Sequence, residues 1–367
     1  MHSDVLVVGG GPAGLAAAIA ARAKGFRVTL VDSRRPPLDK PCGEGLLPEA
    51  VEALRGLGVD LDGARNFRFT GIRFSDAASS VSAEFGAASG HGIRRTVLHR
   101  LLVERAEAAG VNLVWGAHVK AQDSLYANVD GRRIFFRWLI AADGLNSAIR
   151  RRACLDSVFR GRGRFAFRQH YALAPWTDMV EVQWGDGCQM IATPTGPAEI
   201  CLALFTRNPH LRLAEALTQF PEIARRVAGA RPTSSESGAR TALARARFVV
   251  RGNIALVGDA ACSIDGIAGQ GLNLALQASQ HLANALAHED LRAYAAAHRE
   301  ITRTPMRITR LMLLMARSSW IRKKTLRMFA AKPAFFSNMM SIHAGTIEGD
   351  AFGLQDFFGL SWRVLRA

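Results

Sequence analysis

The sequence predicts an α/β protein made of a Rossmann-like parallel sheet, an antiparallel β-sheet domain and a helical C-terminal region. Three observations predict it. A buried-type strand at residues 5–8 runs into a glycine-rich turn, and a second strand of this type returns at residues 253–259. Between them, residues 160–205 hold short alternating runs separated by Gly, Pro and Asp, which is typical of an antiparallel sheet. From residue 299 onward the pattern is helical and basic.

The glycine-rich turn has the sequence Gly-Gly-Gly-Pro-Ala-Gly and opens a helix. Gly9 and Gly11 allow a tight turn and a close approach of the backbone to a pyrophosphate, and Gly14 lets the helix pack on the strand. The helix N-terminus offers free N–H groups to phosphates. Asp32, at the end of the second strand, can accept hydrogen bonds from ribose hydroxyls. The turn residues predicted to contact a dinucleotide are Gly9, Gly11, Pro12, Ala13 and Gly14.

Composition limits the other possibilities. The 367 residues are 49% apolar and 21% charged, which suffices for a sizeable core. The formal net charge is +16, yet no nucleic-acid-binding module accompanies it, so no specific nucleic-acid partner is expected. Neither a signal peptide nor a membrane-spanning run is visible. The five cysteines are scattered without metal-ligand or disulfide spacing, so we expect a cytoplasmic protein without a metal site.

The distribution of apolar residues in the rest of the sequence predicts further helices and strands. Helices are expected at residues 15–24, 48–57, 95–109 and 272–287. Strands are expected at residues 27–31, 67–74, 81–85, 111–115, 137–142, 164–171, 180–184, 188–193 and 199–205.

Two further motifs follow the first in order: residues 141–144 (Ala-Ala-Asp-Gly) and residues 257–261 (Val-Gly-Asp-Ala-Ala). Together, the three resemble the single-component FAD-dependent hydroxylases of the para-hydroxybenzoate hydroxylase type and their relatives, the geranylgeranyl reductases. The resemblance covers about residues 1–300. It implies an FAD-binding domain of the glutathione reductase type. The residues it places beside FAD, beyond the first loop and Asp32, are Arg34, Cys42, Gly43, Arg95, Val119, Asp143, Gly144, Gly258, Asp259, Gly269, Gly271, Leu272 and Asn273.

The family resemblance also locates the flavin ring. Glycines in residues 265–273 let the backbone approach a flat ring, and the helix that follows can stabilise negative charge on reduced flavin. Family members usually carry Pro where this chain has Asp265. The Cys-Gly-Glu loop at residues 42–44 looks most like the reductase branch, and we expect a packing role for Cys42. The Trp-rich stretch of flavin-dependent halogenases is absent, with Trp184 alone in the comparable region.

The predicted domains are discontinuous. Residues 1–66, 92–155 and 245–298 are assigned to the FAD-binding domain, and residues 67–91 and 156–244 to the β-sheet substrate domain. Residues 299–367 form the basic helical C-terminal region. No second dinucleotide loop occurs, so NAD(P)H is expected to reduce the flavin by transient docking, or a partner protein supplies the electrons.

The sequence therefore predicts an FAD-dependent oxidoreductase, with a monooxygenase acting on a lipophilic polyketide- or isoprenoid-type metabolite as the first reading. The alternatives are a reductase of prenyl double bonds, a flavin electron-relay or binding protein, and, on net charge alone, a flavoprotein that modifies nucleic acid. His170 and Tyr171 are the nearest candidates for a catalytic base, but the sequence assigns none. Substrate and oligomeric state stay open.

The C-terminal region carries ten Lys or Arg residues and one acid between residues 299 and 332. Its arginines lie close to one helical face, and an apolar stripe of Ile301, Ile308, Met312 and Met315 lies elsewhere on the helix. This pattern fits peripheral contact with anionic lipid. It fits better a helix that packs its stripe on the protein and exposes its basic face. Pro305 is expected to break or start the helix.

Overall fold

The computed structural model describes residues 2–156, 158–160 and 163–347; the predicted C-terminal residues 348–367 lie outside this part of the chain. The helices are α1 Pro12–Ala23, α2 Pro48–Gly56, α3 Arg95–Ala108, α4 Ala148–Arg152, α5 Leu213–Ala216, α6 Pro221–Val227, α7 Gly271–Ala287, α8 Leu291–Arg317, α9 Ser319–Ala331 and α10 Pro333–Ala344. The strands of the N-terminal half are β1 His2–Val8, β2 Val28–Asp32, β3 Gly45–Leu46, β4 Phe67–Phe69, β5 Gly71–Ser75, β6 Ser80–Glu84, β7 Gly90–Gly92, β8 Asn112–Trp115, β9 Val119–Gln122, β10 Tyr126–Val129 and β11 Arg132–Ala141. Those of the C-terminal half are β12 Val158–Arg160, β13 Arg164–Ala172, β14 Met179–Trp184, β15 Cys188–Gly196, β16 Glu199–Thr206, β17 Arg231–Pro232, β18 Ser237–Thr241, β19 Ala244–Ala246, β20 Val250–Arg251, β21 Ile254–Leu256 and β22 Cys262–Ser263.

The first large sheet confirms the predicted Rossmann-like unit. Its strand order is β20-β21-β11-β1-β2-β8, and β1 pairs in parallel with β2 and β11. The parts of the central strands that helices cover are mostly apolar and buried, residues 5–8 of β1 and 139–141 of β11 among them, and α1 packs against α3 and α7. The carboxyl ends of β1, β2 and β11 therefore meet at one edge, where dinucleotides bind in this architecture.

The second large sheet confirms the antiparallel prediction. Its order is β17-β13-β16-β15-β14-β5-β6, with β18 on the outer side of β13. All its pairs are antiparallel except β14 with β5. One part of it packs against α8–α10, and another against α5 and α6. The middle strands are consequently buried on both sides, and the solvated face expected from alternation is limited to the edges.

The single strand predicted at residues 67–74 is two strands in different sheets. β4 pairs with β7 in a small three-stranded sheet, whereas β5 joins the second large sheet. Thr70 separates them, because its backbone N–H and its hydroxyl both bond to Asp178. Gly71 then lies so close to β6 that a Cβ atom would stand 2.3 Å from the carbonyl oxygen of Ala83. The domain boundaries remain predictions.

The C-terminal helices pack on the protein through apolar side chains. Pro305 neither breaks nor starts a helix, since it lies within α8. The stripe predicted on that helix is largely buried: Ile308, Met312 and Met315 join the core beneath it, and Ile301 packs partly buried against it. α10 packs on β6. None of the helices in the described ranges has the length and hydropathy needed to span a bilayer.

Candidate active site

A large cavity of about 640 Å³ opens where the carboxyl ends of β1, β2 and β11 face the second sheet. All three predicted motifs contribute to its wall. The predicted cofactor residues that line it are Gly9, Gly11, Pro12, Ala13, Asp32, Arg34, Cys42, Gly43, Arg95, Val119, Asp143, Gly144, Gly258, Asp259, Gly269, Gly271 and Leu272. Segments up to 263 residues apart in the chain thus meet around one space.

Two predicted residues are not among those that line the cavity. Gly14 sits where a Cβ would come within 1.8 Å of the carbonyl oxygen of Gly9, which fits its predicted role in helix–strand packing. The side-chain amide of Asn273 donates to Glu49 at 2.7 Å and to Gln270 at 2.9 Å. That amide braces α7 against α2, and a cofactor contact through Asn273 stays a prediction.

The first glycine loop is held by groups on both sides. Gly9 has a φ of +114°, where side chains are disfavoured. The Asp32 carboxylate accepts from the backbone of Gly10 at 2.7 Å and of Arg34 at 2.8 Å. His99 on α3 donates through Nε2 to the carbonyl of Gly10 at 2.9 Å. Burial lowers the pKa of His99, so the neutral ring is the form that serves as this support.

The wall has the properties that FAD requires. A Cβ placed on Gly11, Gly43, Gly144, Gly269 or Gly271 would meet no atom within 4 Å, so the backbone there faces open cavity. Two buried polar atoms of lining residues have no hydrogen-bond partner: Nε of Arg95 and Oδ1 of Asp143. The N-terminus of α1 has no side-chain cap. Backbone, a cation and a carboxylate are thus available for phosphates and hydroxyls.

A second loop, residues 265–271, forms the opposite wall. Asp265 stands where Pro was expected from the family, and it is 1% exposed. Its Oδ1 accepts from the backbone of Ile267 at 3.2 Å and pairs with Arg164 of β13 at 3.3 Å. Burial raises the pKa of Asp265 against the opposing charge of Arg164, and burial lowers the pKa of Arg164. A buried ion pair therefore fixes the start of this loop.

The same loop is anchored from the far end of the chain. Nε2 of His343, on α10, lies 2.9 Å from the carbonyl oxygen of Ala268. Gln270 donates to the backbone carbonyl of His343 and lies 3.3 Å from its Nδ1. Burial lowers the pKa of His343 to about 4, so the ring is neutral, with a proton on Nε2 for Ala268. Sequence reasoning missed this contact because no local pattern links residue 343 to residue 268.

Beyond the two loops the cavity continues as an apolar chamber. The second sheet supplies most of its walls, and α8 closes one side. The side chains that give it its apolar character include Phe69, Phe74, Val180, Val182, Phe205 and Met312. Such a surface favours hydrocarbon or an aromatic ring over a polar ligand.

A chain of polar groups reaches the chamber wall at Glu44, which lines the cavity. His170 Nε2 lies 2.5 Å from Oε2 of Glu44, and its Nδ1 lies 2.9 Å from the hydroxyl of Ser234. Oε1 of Glu44 accepts from Arg168 at 2.7 Å and from the backbone of Arg95 at 2.9 Å. The backbone of Glu44 has a φ of +58°, an uncommon conformation that these contacts stabilise.

Neither sequence candidate for a base faces the chamber directly. His170 is buried behind Glu44 and is absent from the cavity lining. Tyr171 points to the other side of β13, since side chains alternate along a strand, and its hydroxyl donates to Gln169 at 2.9 Å. The residue that reaches the wall is Glu44, which the Cys-Gly-Glu motif contains but which was not singled out from the sequence.

The mouth of the cavity carries an ion pair between two predicted segments. Nζ of Lys40, next to the Cys-Gly-Glu loop, lies 2.6 Å from Oδ2 of Asp259. Cys42 is partly buried and its Sγ lies 3.4 Å from the backbone nitrogen of Glu44, which agrees with a packing role. Within the described ranges, Glu44, His170 and Cys201 are the cluster closest to metal-ligand geometry, but Arg168 already occupies one oxygen of Glu44.

Comparison with known proteins agrees with this geometry. Residues 2–300 match the family described as FAD binding domain. The chain belongs to this family. The flavoenzyme is an FAD-dependent oxidoreductase, and FAD is the group that its paired glycine loops fit.

The relatives of this flavoenzyme include reductases and hydroxylases. A menaquinone reductase of Mycobacterium tuberculosis is 30% identical over 79% of this chain and 78% of its own length. A chloroplastic geranylgeranyl diphosphate reductase of Oryza sativa subsp. japonica is 26% identical over 77% of this chain and 66% of its own. The 3-hydroxybenzoate 6-hydroxylase 1 of Aquipseudomonas alcaligenes is 28% identical over 57% of this chain and 58% of its own.

Solved structures share the fold. A flavoprotein/dehydrogenase from Cytophaga hutchinsonii superposes with a TM-score of 0.80 at 19% identity, over 94% of this chain and 93% of that one. The flavin-dependent brominase Bmp2 superposes with a TM-score of 0.78 at 19% identity, over 100% and 99% of the two chains. At these identities the likeness concerns architecture alone.

Proposed function

We propose that the flavoenzyme reduces a carbon–carbon double bond of a lipophilic, prenyl-type substrate. The observation that carries this proposal is the pairing of an apolar chamber with a buried hydrogen-bonded chain, Ser234–His170–Glu44, that ends at a residue of its wall. Reduction of an alkene requires a hydride on one carbon and a proton on the other. A hydrocarbon substrate needs no further polar contact.

The chamber suits a hydrocarbon because apolar side chains of the second sheet and α8 line it. Transfer of each methylene group from water into apolar surroundings contributes roughly 0.8 kcal/mol of favourable free energy. The imidazole of His343, which α10 contributes to the cavity wall, is committed to Ala268 and Gln270. A base that would deprotonate a phenol, as aromatic hydroxylation favours, is therefore not placed at this wall by His170, Tyr171 or His343.

Bound FAD, once reduced, supplies the hydride. In this proposal the proton for the second carbon passes along the hydrogen-bonded chain from Ser234 through His170 to Glu44, and the half-buried Ser234 hydroxyl is the outer end of that chain. Arg168 and the backbone of Arg95 hold the carboxyl group of Glu44 in place. The reaction balances as one hydride from the donor and one proton from solvent, added across one double bond.

The relatives support a prenyl-type substrate. The two reductases described above are named for menaquinone and geranylgeranyl diphosphate, both of which carry prenyl chains, and they align with 79% and 77% of this chain. The hydroxylase aligns with 57%. We propose NAD(P)H as the electron donor, docking transiently, because the chain carries no second dinucleotide loop.

Hydroxylation of a lipophilic aromatic compound is the second candidate. It is favoured by the hydroxylase relative and by the apolar lining of the chamber, which would keep water from the reacting groups. It requires dioxygen, which reduction does not.

The test is turnover of a short polyprenyl substrate with NAD(P)H in the absence of oxygen. We expect a product that has gained two hydrogen atoms. A product that forms only in air and gains one oxygen atom would establish hydroxylation instead. Glu44→Gln should slow product formation at least about tenfold while reduction of the flavin by NAD(P)H is unchanged. Glu84→Gln, an exposed carboxylate on β6, is the matched control.

We also propose that the C-terminal helices contact anionic lipid, from which a prenyl substrate would enter. Leu314 and Trp320 are among the large apolar side chains that stay exposed, and Arg317, Lys323 and Lys324 lie beside them. Vesicles containing phosphatidylserine should sediment the protein, and Trp320→Ala should weaken this. Equal sedimentation with neutral vesicles would argue against charge-driven contact.

A further inference from the structure

A second pocket opens at the N-terminus of α3, on the far side of that terminus from the flavin cavity. Three arginines, Arg65, Arg94 and Arg231, line it together with the hydroxyl-bearing Thr96, Thr195 and Thr233. We infer that this pocket binds a phosphate ester group. Only the identity of the molecule that carries this phosphate group rests on the proposed function.

One buried carboxylate organises the pocket. Glu199 is 1% exposed and accepts from Arg94 at 2.7 Å through Nε and at 2.5 Å through Nη2. Thr195 and Thr233 donate to the same carboxylate at 3.2 Å and 3.1 Å. Arg94 is therefore fixed in a bidentate pair, with its guanidinium plane set at the pocket wall.

The positive charges of the other two arginines are not neutralised by Glu199, because its single negative charge is paired with Arg94. Arg65 is 59% exposed and stands 3.7 Å from Glu199, too far for a hydrogen bond. Arg231, at the edge of the second sheet, is exposed. The pocket wall thus holds three guanidinium groups and one carboxylate, and the pocket carries a net positive charge.

The N-terminus of α3 adds to this positive charge. The helix has 14 residues, and its first turn contributes Thr96 and Val97 to the pocket wall. The backbone N–H groups of a first turn have no partner within the helix, and they lie at the positive end of its dipole. Arg94, Thr195 and Thr233 already donate to Glu199, and the first N–H of the helix, that of Arg95, donates to Glu44. The donors left for a phosphate are the guanidinium groups of Arg65 and Arg231, the Thr96 hydroxyl and the backbone N–H groups of Thr96 and Val97.

The pocket lies close to the flavin cavity. Thr193 of β15 lines the cavity and Thr195 lines the pocket, and two residues of a strand span about 6.6–6.8 Å. Arg95 lines the cavity while its neighbour Arg94 lines the pocket. A molecule with a phosphate ester at one end could therefore be held here with its other end near the flavin. Both a nicotinamide dinucleotide phosphate and a prenyl diphosphate have this form.

The first experiment measures binding of inorganic pyrophosphate to the FAD-loaded protein by isothermal titration calorimetry. FAD loading keeps pyrophosphate from the dinucleotide loop. We expect saturable binding that the double variant Arg65→Ala/Arg231→Ala weakens at least about tenfold. The variant Arg132→Ala/Arg292→Ala removes two exposed arginines elsewhere and serves as the control for net charge. Absence of binding to the native holoprotein, or equal weakening by both variants, would overturn the inference.

The second experiment identifies the source of the phosphate. Rapid mixing compares flavin reduction by NADPH and NADH in the native protein and the double variant. A rise in the apparent dissociation constant for NADPH alone assigns the pocket to the 2′-phosphate of the reductant. Equal rises for both reductants assign it to their shared pyrophosphate. No change for either, with weaker inhibition by geranyl diphosphate than in the native protein, assigns it to the substrate. No change in all three measurements would contradict a functional phosphate site, whatever reaction the enzyme performs.

Discussion

The two loops that face each other across the flavin cavity are built in different ways. The first, residues 9–14, is supported by Asp32 of β2 and by His99 of α3, both of which belong to the first large sheet and the helices that cover it. The second, residues 265–271, is supported by Arg164 from the other sheet and by His343 from α10. The first loop therefore depends on packing within one sheet and its helices, whereas the second depends on the other sheet and the C-terminal helices as well. We therefore expect cofactor binding on the second side to depend on the C-terminal helices.

The largest expected effect comes from the ion pair of the second loop. Arg164→Met leaves the carboxylate of Asp265 buried without its partner, which should cost roughly 3–5 kcal/mol of unfolding free energy. Asp265 has a φ of −56°, which Pro can adopt. The double variant Arg164→Met/Asp265→Pro should recover most of the loss in a urea titration. If the single and double variants are equally unstable, the ion pair is not what secures this loop.

The second effect is a dependence on pH. The pKa of His343 is about 4 in the folded protein and that of an unfolded histidine is about 6.5. Because the folded pKa is lowered, stability is full above pH 6.5 and is lost as the pH falls toward 4, by roughly 3 kcal/mol. In His343→Gln, the unfolding free energy should fall by about that amount less between pH 6.5 and pH 4 than in the native protein. The matched variant of exposed His288, His288→Gln, should leave the profile as steep as in the native protein.

The first loop gives the third prediction. Gly14→Ala places a Cβ within 1.8 Å of the carbonyl of Gly9, so the loop must move. We expect roughly 1–3 kcal/mol of destabilisation, together with loss of bound flavin seen in the visible spectrum. Gly63→Ala is the control, because its Cβ would face open space and its φ, like that of Gly14, is not positive. Retention of stoichiometric flavin by Gly14→Ala would show that the loop tolerates displacement.

The smallest effect concerns the ion pair across the cavity mouth. Lys40 is half exposed, and exposed pairs contribute roughly 0–1 kcal/mol. Lys40→Met should therefore leave thermal unfolding nearly unchanged. It should lower the affinity of the protein for FAD only slightly, as measured by fluorescence titration. A large loss of affinity would mean that Lys40 itself contacts the cofactor.

The contrast between the loops also explains what could be predicted from the sequence. The first loop could be predicted because its strand, turn, helix and acid are neighbours in the chain. The spacing of apolar residues predicts the stripe on α8, but it does not predict that this stripe lies against the chamber. His99, Arg164 and His343 gave no local signal, since each acts on a residue far from it in sequence. Glu44 lay inside a recognised motif, and only its contacts with His170 and Arg168 reveal its position in the site.

The most direct test of the account is a single turnover without oxygen. The FAD-loaded protein is first reduced and then mixed with a polyprenyl substrate while the absorbance of oxidised flavin is followed. If the chamber and the Glu44–His170 pair reduce a double bond, the absorbance of oxidised flavin returns, and it returns more slowly in Glu44→Gln. If the flavin stays reduced without oxygen and the substrate gains one oxygen atom once air is admitted, the proposed reduction is wrong.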